Sequence, residues 1–283
     1  MSTVLCTADS KPLYLHDHFR HCPVFLCCAG PSLASVDSSC LQQRGILTCA
    51  VNNAVSVLRP NLWVIYDPPH RFLENAFLDP AILKFLPAPH LEGELRQRDD
   101  SGQLGPSKYQ AKDCPSVVGY QYNNDFNEAI WLNEASVNCG QVDAKNDVQG
   151  VAGGRSVMLA ALKLLYYLGA RTVFLLGCDF SMSSTKTNYA FEHDCSRNYI
   201  RMNNRAYRLL SNRLGRLKPY FDEAGYRVFN CTPGSQLDVF PFLSLADAIE
   251  MALADFPSSL DASGMYHHNR EPNTDSSYEE NRS

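Results

Sequence analysis

Several short stretches of this chain hold side chains able to grip an anion, read a nucleoside or move a proton. Gly30-Pro31-Ser32 follows an apolar run of strand length, Pro23–Ala29, and opens a short helical stretch towards Leu41. A strand that ends in Gly-Pro-Ser before a helix leaves backbone N–H groups and a hydroxyl free to meet an anion. The stretch also suits an ordinary strand-to-helix turn. It matches neither the GxGxxG nor the GxxxxGKS phosphate pattern. Asn52 ends the next strand, Ile46–Val51, and Asp67 follows a third, Leu62–Ile65. An amide or a carboxylate there can bond a base or ribose, or merely close a turn. Gly153-Gly154 let a backbone approach a ligand closely, with Arg155 beside them. Asp179 stands just past a further strand. Tyr189 lies among small polar residues. His193, between Glu192 and Asp194, is placed for general acid/base work or is a plain surface histidine.

These residues need elements to position them, and the central one is Val151–Phe180. It reads as a glycine-rich turn, an apolar helix from Ser156 to Leu168, a stop at Gly169 and a buried strand, Thr172–Leu176. An apolar run of that length suits a central parallel strand, and ligands of open α/β sheets bind beyond the carboxyl ends of such strands. With Tyr226–Asn230 as a further strand and Leu245–Phe256 as a last helix, the reading is α/β. The expected architecture is a doubly wound, mostly parallel Rossmann-like sheet, in one domain over residues 1–256. Residues 1–21 read as an irregular first pass. Residues 71–149, rich in proline, read as an irregular insertion or lid, and 181–200 as an active-site loop. Residues 257–283 have the composition of a disordered tail.

From Tyr199 to Phe221 a helix is expected. Counted at 100° per residue, Arg197, Arg201, Arg205, Arg208 and Arg216 fall within about 100° of one another. Met202, Ala206, Leu209, Leu210, Leu214 and Leu217 take the other side. No acid occurs from Cys195 to Phe221. Such a row suits a phosphate or polyanion, nucleic acid included, or a solvated face paired with acids from elsewhere.

Composition sets outer bounds. The 283 residues are 45% hydrophobic and 19% charged, enough to bury a large core. A net charge of −5 gives no global pull towards nucleic acid or anionic membrane. The 11 cysteines are an odd number, show no repeated CxxC spacing and fall partly inside strands. That usage argues against a zinc site and points to a reducing, cytoplasmic setting. No signal peptide and no membrane-spanning run are read.

Taken in order, Gly30–Leu33, Asn52, Tyr66-Asp67-Pro68, Gly153–Met158, Gly177–Phe180, Asn188–Phe191 and Asn230–Pro233 resemble the motifs of the family 42 glycosyltransferases, bacterial sialyltransferase-like enzymes. The same skeleton is similar to the MptE-like proteins. The likeness covers roughly residues 23–235 outside the insertion. It implies a GT-A-like sheet with a lid, and a nucleotide-activated sugar as co-substrate, with no metal or other cofactor required. It further implies Gly30, Pro31, Ser32, Gly153 and Gly154 at the donor phosphate, and Asn52 and Asp67 at the nucleoside. Tyr189 would stand on the leaving phosphate, with Asp179 nearby. Arg155, Arg197, Arg201 and Arg205 remain for anion or acceptor contacts, and His193 or Asp194 for the base. The acceptor would be a glycan hydroxyl or a hydroxymethylated nucleic-acid base. A pterin diphosphokinase and a non-catalytic nucleotide-binding protein are the alternatives.

Overall fold

The computed structural model describes residues 4–20, 22–123, 126–138 and 156–254. Gly153, Gly154, Arg155 and the tail 257–283 lie outside the described residues. In chain order the strands are β1 Leu5–Cys6, β2 Pro12–Leu13, β3 Val24–Cys27, β4 Leu47–Val51, β5 Leu62–Val64, β6 Leu83–Pro87, β7 Glu94–Arg98, β8 Leu104–Gln110, β9 Val117–Tyr120, β10 Tyr122–Asn123, β11 Val137–Asn138, β12 Thr172–Leu176 and β13 Arg227–Asn230. The α-helices are α1 Glu74–Leu78, α2 Val157–Tyr167, α3 Arg197–Glu223 and α4 Leu245–Leu253.

Nine strands form one sheet in the order β13-β12-β3-β4-β5-β6-β9-β1-β2. From β13 to β9 every neighbour is parallel, and β1 and β2 close the far edge antiparallel. The protein is thus an α/β, Rossmann-like fold. After β1 and β2, the parallel part starts at β3, moves outward through β4, β5, β6 and β9, then returns to place β12 on the other flank of β3. That reversal leaves a crevice between β3 and β12 at their carboxyl ends.

Both faces of the sheet are covered, which is why the parallel strands read as unbroken apolar runs. Val24, Leu26, Val173 and Leu175 pack with α2 and with Leu214, Leu217 and Phe221 of α3 on one face. Phe25, Cys27, Phe174 and Leu176 meet α1, α4 and the short helical turns 31–35 and 38–41 on the other. The α2 boundaries follow from local chemistry. Ser156 accepts the N–H of Met158 at 3.1 Å as N-cap. At the other end Gly169 takes φ +103°, and the N–H groups of Gly169 and Ala170 reach back to Tyr166 and Leu165. This Schellman stop satisfies carbonyls a helix end leaves open.

Two expectations need correcting. The stretch 71–149 is not an irregular insertion: it supplies β6 and β9 to the middle of the sheet, and the β7–β8 hairpin besides. Lys84 disguises β6. It is wholly buried, and its Nζ donates to the carbonyls of Asp79, Ile82 and Pro115 at 2.6–3.0 Å. Burial lowers its pKa to about 8. Lys163 of α2 is buried likewise, bonds the Leu132 carbonyl at 2.6 Å, and is lowered to about 8 by the same cause. The first pass is not wholly irregular either, since β1 and β2 lie in it. No helix among the described residues is long and apolar enough to cross a membrane.

Candidate functional site

A cleft of about 580 Å³ opens at the carboxyl ends of β3, β4, β5 and β12. Its floor is made where two strand tips touch. The Gly30 N–H donates to the Gly177 carbonyl at 3.0 Å, and the Cys28 N–H to the Leu176 carbonyl at 2.8 Å. A Cβ at Gly30 would overlap Asp179 and the Gly177 carbonyl, and one at Gly177 would overlap the Cys28 carbonyl. Gly177 also has φ +66°, a conformation that favours glycine. Both glycines are therefore there for the contact itself.

Asp179 is held at this junction. Its carboxylate accepts the Ser32 hydroxyl at 2.8 Å and the Ser32 N–H at 3.3 Å. The donors expected to meet a ligand phosphate are thus engaged with a carboxylate of the protein. Gly30 and Pro31 line the cleft, whereas Ser32 is turned onto Asp179. Cys178, next in the floor, donates its N–H to Thr232 at 2.9 Å. A hydrogen bond with Cys28, then burial, pushes its thiol pKa far up.

Asn52 lines the cleft from the end of β4. Its φ of +41° is one asparagine tolerates better than most residues. Its Oδ1 accepts the Tyr66 N–H at 2.9 Å and its carbonyl accepts the Trp63 indole N–H at 2.8 Å. The side chain therefore orders the β5 tip as well as facing the cleft. Asp67, beyond β5, pairs with Arg71 at 3.3 Å, and both line the cleft.

The opposite wall comes from the irregular segment 181–196 and from α3. Two asparagines fix that segment. Asn204 accepts the Met182 N–H at 2.7 Å and donates to its carbonyl at 2.9 Å. Asn188 does the same to Ser183, at 2.7 and 2.9 Å. The Ala190 N–H then ties the segment to the Ala29 carbonyl at 3.0 Å. From this segment Asn188, Tyr189, Phe191 and His193 line the cleft. The Tyr189 ring stacks on Phe191 at 5.2 Å and meets His193 edge-on at 5.3 Å. The Tyr189 hydroxyl bonds the Tyr199 hydroxyl at 2.7 Å. Burial, then this bond, raises the Tyr189 phenol above its ordinary range, so it keeps its proton. Burial does the same to Tyr207, which packs on Phe180 at 5.2 Å.

Gly30, Pro31, Asn52, Asp67, Asp179, Tyr189 and His193 are therefore brought together. Asp194 is not: it is exposed and does not line the cleft. Arg197, Arg201 and Arg205 are not either. The helix face that lines the cleft holds Tyr199, Asn203, Tyr207 and Leu210. At 100° per residue this face lies roughly half a turn from the arginine row. Arg197, Arg201 and Arg208 are exposed, Arg201 donates to Asn198 at 2.9 Å, and Arg216 pairs with Glu128 at 2.7 Å. Met202 and Leu209, assigned to the apolar side, are 56% and 37% exposed.

Sequence reasoning missed Tyr66, Arg71, Phe180, Tyr199, Asn203 and Tyr207. The spacing 199, 203, 207, 210 is a helix face, and that signal was present in the sequence. Among the described residues no group of three or more His, Cys, Asp or Glu stands where it could hold a metal ion.

No family model matches the chain, and no curated protein matches it. A solved structure of the MAf glycosyltransferase from Magnetospirillum magneticum AMB-1 is similar over 90% of this chain, at 14% identity and a TM-score of 0.49. The chain spans 39% of that protein's chain.

Proposed function

We propose that this protein is a glycosyltransferase that moves a sugar from a nucleotide-activated donor to a hydroxyl acceptor without needing a metal ion. The observation that supports it is the convergence of Gly30, Asn52, Asp179, Tyr189 and His193 on one cleft at the sheet's reversal point. The nucleoside lies over the Asn52 side of the floor and the leaving phosphate under Tyr189. As the glycosidic bond breaks, negative charge grows on that phosphate. A phenol that keeps its proton is suited to meet it, and the aromatic wall excludes water around it. His193 accepts the proton of the acceptor hydroxyl, and Asp194 has no part in that step. The acceptor is a glycan hydroxyl.

Titration calorimetry against 5′-nucleotides tests the reading, and wild-type protein that binds none of them sinks it. In a donor screen read by mass spectrometry, Tyr189→Phe is expected to slow transfer about a hundredfold while binding of the free nucleoside is kept.

A second reading, a nucleotide-binding protein without catalysis, is favoured by one observation: the Ser32 donors are already engaged by Asp179. Nucleotide binding with no turnover of any donor would select it.

A further inference from the structure

Two groups of hydrogen-bond donors in the cleft region are occupied by carboxylates of the protein itself. They are held very differently. Asp179 receives both the hydroxyl and the N–H of Ser32, and it is wedged against Gly30. Asp67 receives one contact, from Arg71 Nη1, at 3.3 Å. Arg59 and Asp79 show what a committed pair looks like in this chain: two bonds, from Nε at 2.6 Å and Nη2 at 2.8 Å. The guanidinium of Arg71 is as exposed as that of Arg59, with side-chain exposure of 63% in both. Yet its fork is turned to Asp67 along one prong only. The remaining prong is left for another acceptor.

Arg71 is also the one lysine or arginine among the described residues that line the cleft. The other fixed charges there are Asp67 and Asp179. In this state the lining carries one positive and two negative charges, which would repel a phosphate unless a partner were exchanged. A planar fork of donors matches phosphate geometry better than any other side chain does.

We propose that Arg71 receives the anionic group of the cleft's ligand, and that Asp67 is its resting partner, displaced when that group arrives. This rests on the nucleotide reading above and deepens it. It moves the cationic contact to that anion from the arginine row of α3 to one residue after β5, in addition to the Tyr189 hydroxyl assigned above. It also gives Asp67 a different part from nucleoside contact: Asp67 competes with the ligand.

The two roles predict opposite signs. With 5′-CMP, UMP, AMP and GMP as probes, and the corresponding nucleosides beside them, calorimetry is run on wild type, Arg71→Ala, Arg71→Lys and Asp67→Asn. Arg71→Ala is expected to weaken the nucleotide that binds about tenfold and to leave its nucleoside within twofold. Arg71→Lys restores part of the loss, because the charge returns without the fork. Asp67→Asn is expected to tighten the nucleotide about two- to fivefold. Arg197→Ala and Arg201→Ala leave the gap between nucleotide and nucleoside unchanged. The proposal is overturned if Arg71→Ala leaves nucleotide affinity intact or weakens nucleoside and nucleotide alike. It is equally overturned if Asp67→Asn weakens binding, or if the α3 arginines carry the gap. Wild type that binds neither nucleotides nor nucleosides removes the nucleotide reading itself, a result distinct from nucleotide binding indifferent to Arg71.

Discussion

The two faces of α3 show how differently one helix can use its residues. The inward face, Tyr199, Asn203, Tyr207, Leu210 and Leu214, passes from cleft wall at its start to full burial at Leu214. The outward face holds arginines at similar spacing. Arg197, Arg201 and Arg208 are exposed, and Arg216 is tied to Glu128. Charge density made the outward face the more conspicuous one in the sequence. The inward face does more for the structure, because its side chains form the cleft wall and the core, whereas Arg197, Arg201 and Arg208 stay exposed. A row of cations announces itself by composition, whereas a wall of a site is built from residues of no special type at the right spacing.

Substitutions on the two faces can break that contrast. Leu214→Ala, at a fully buried position, is expected to cost about 2–5 kcal/mol in urea unfolding, from lost burial and the cavity left behind. A cost under 1 kcal/mol would mean the inward face is not core. Asn204 lies at the edge between the faces and holds the Met182 backbone by two bonds. Asn204→Ala should cost roughly 1–3 kcal/mol, since it leaves a backbone N–H and carbonyl to find new partners. It should also speed hydrogen exchange at the Met182 amide. Unaltered exchange there would show that the segment 181–196 is fixed by other means. Arg208→Ala, on the outward face, is expected to stay within about 0.5 kcal/mol of wild type. A larger loss would show that the row is engaged, and the contrast would fail.

Much of the fold was legible because parallel strands covered on both faces are written as plain apolar runs. β3, β4, β5 and β12 read that way, and their tips marked where a cleft would open. β6 did not, because a lysine stands in its second position, and carbonyls from Asp79, Ile82 and Pro115 make that burial tolerable. The site was legible at its tips and not in its pairings. Ser32 and Asp179 are 147 residues apart, and nothing local to either says that one occupies the other. His193 lines the cleft and its neighbour Asp194 does not.

The two margins of the large sheet have a further consequence. At one margin β2 is two residues long and begins with Pro12, which has no N–H to offer. At the other, β13 ends at Asn230, whose N–H and carbonyl are taken by Pro241 and Leu243. A second molecule that tried to lengthen the sheet would meet a ring at one end and an occupied backbone at the other. Lengthening of the large sheet by a second molecule is therefore disfavoured at Pro12 and at Asn230, the kind of protection that sheet margins commonly carry.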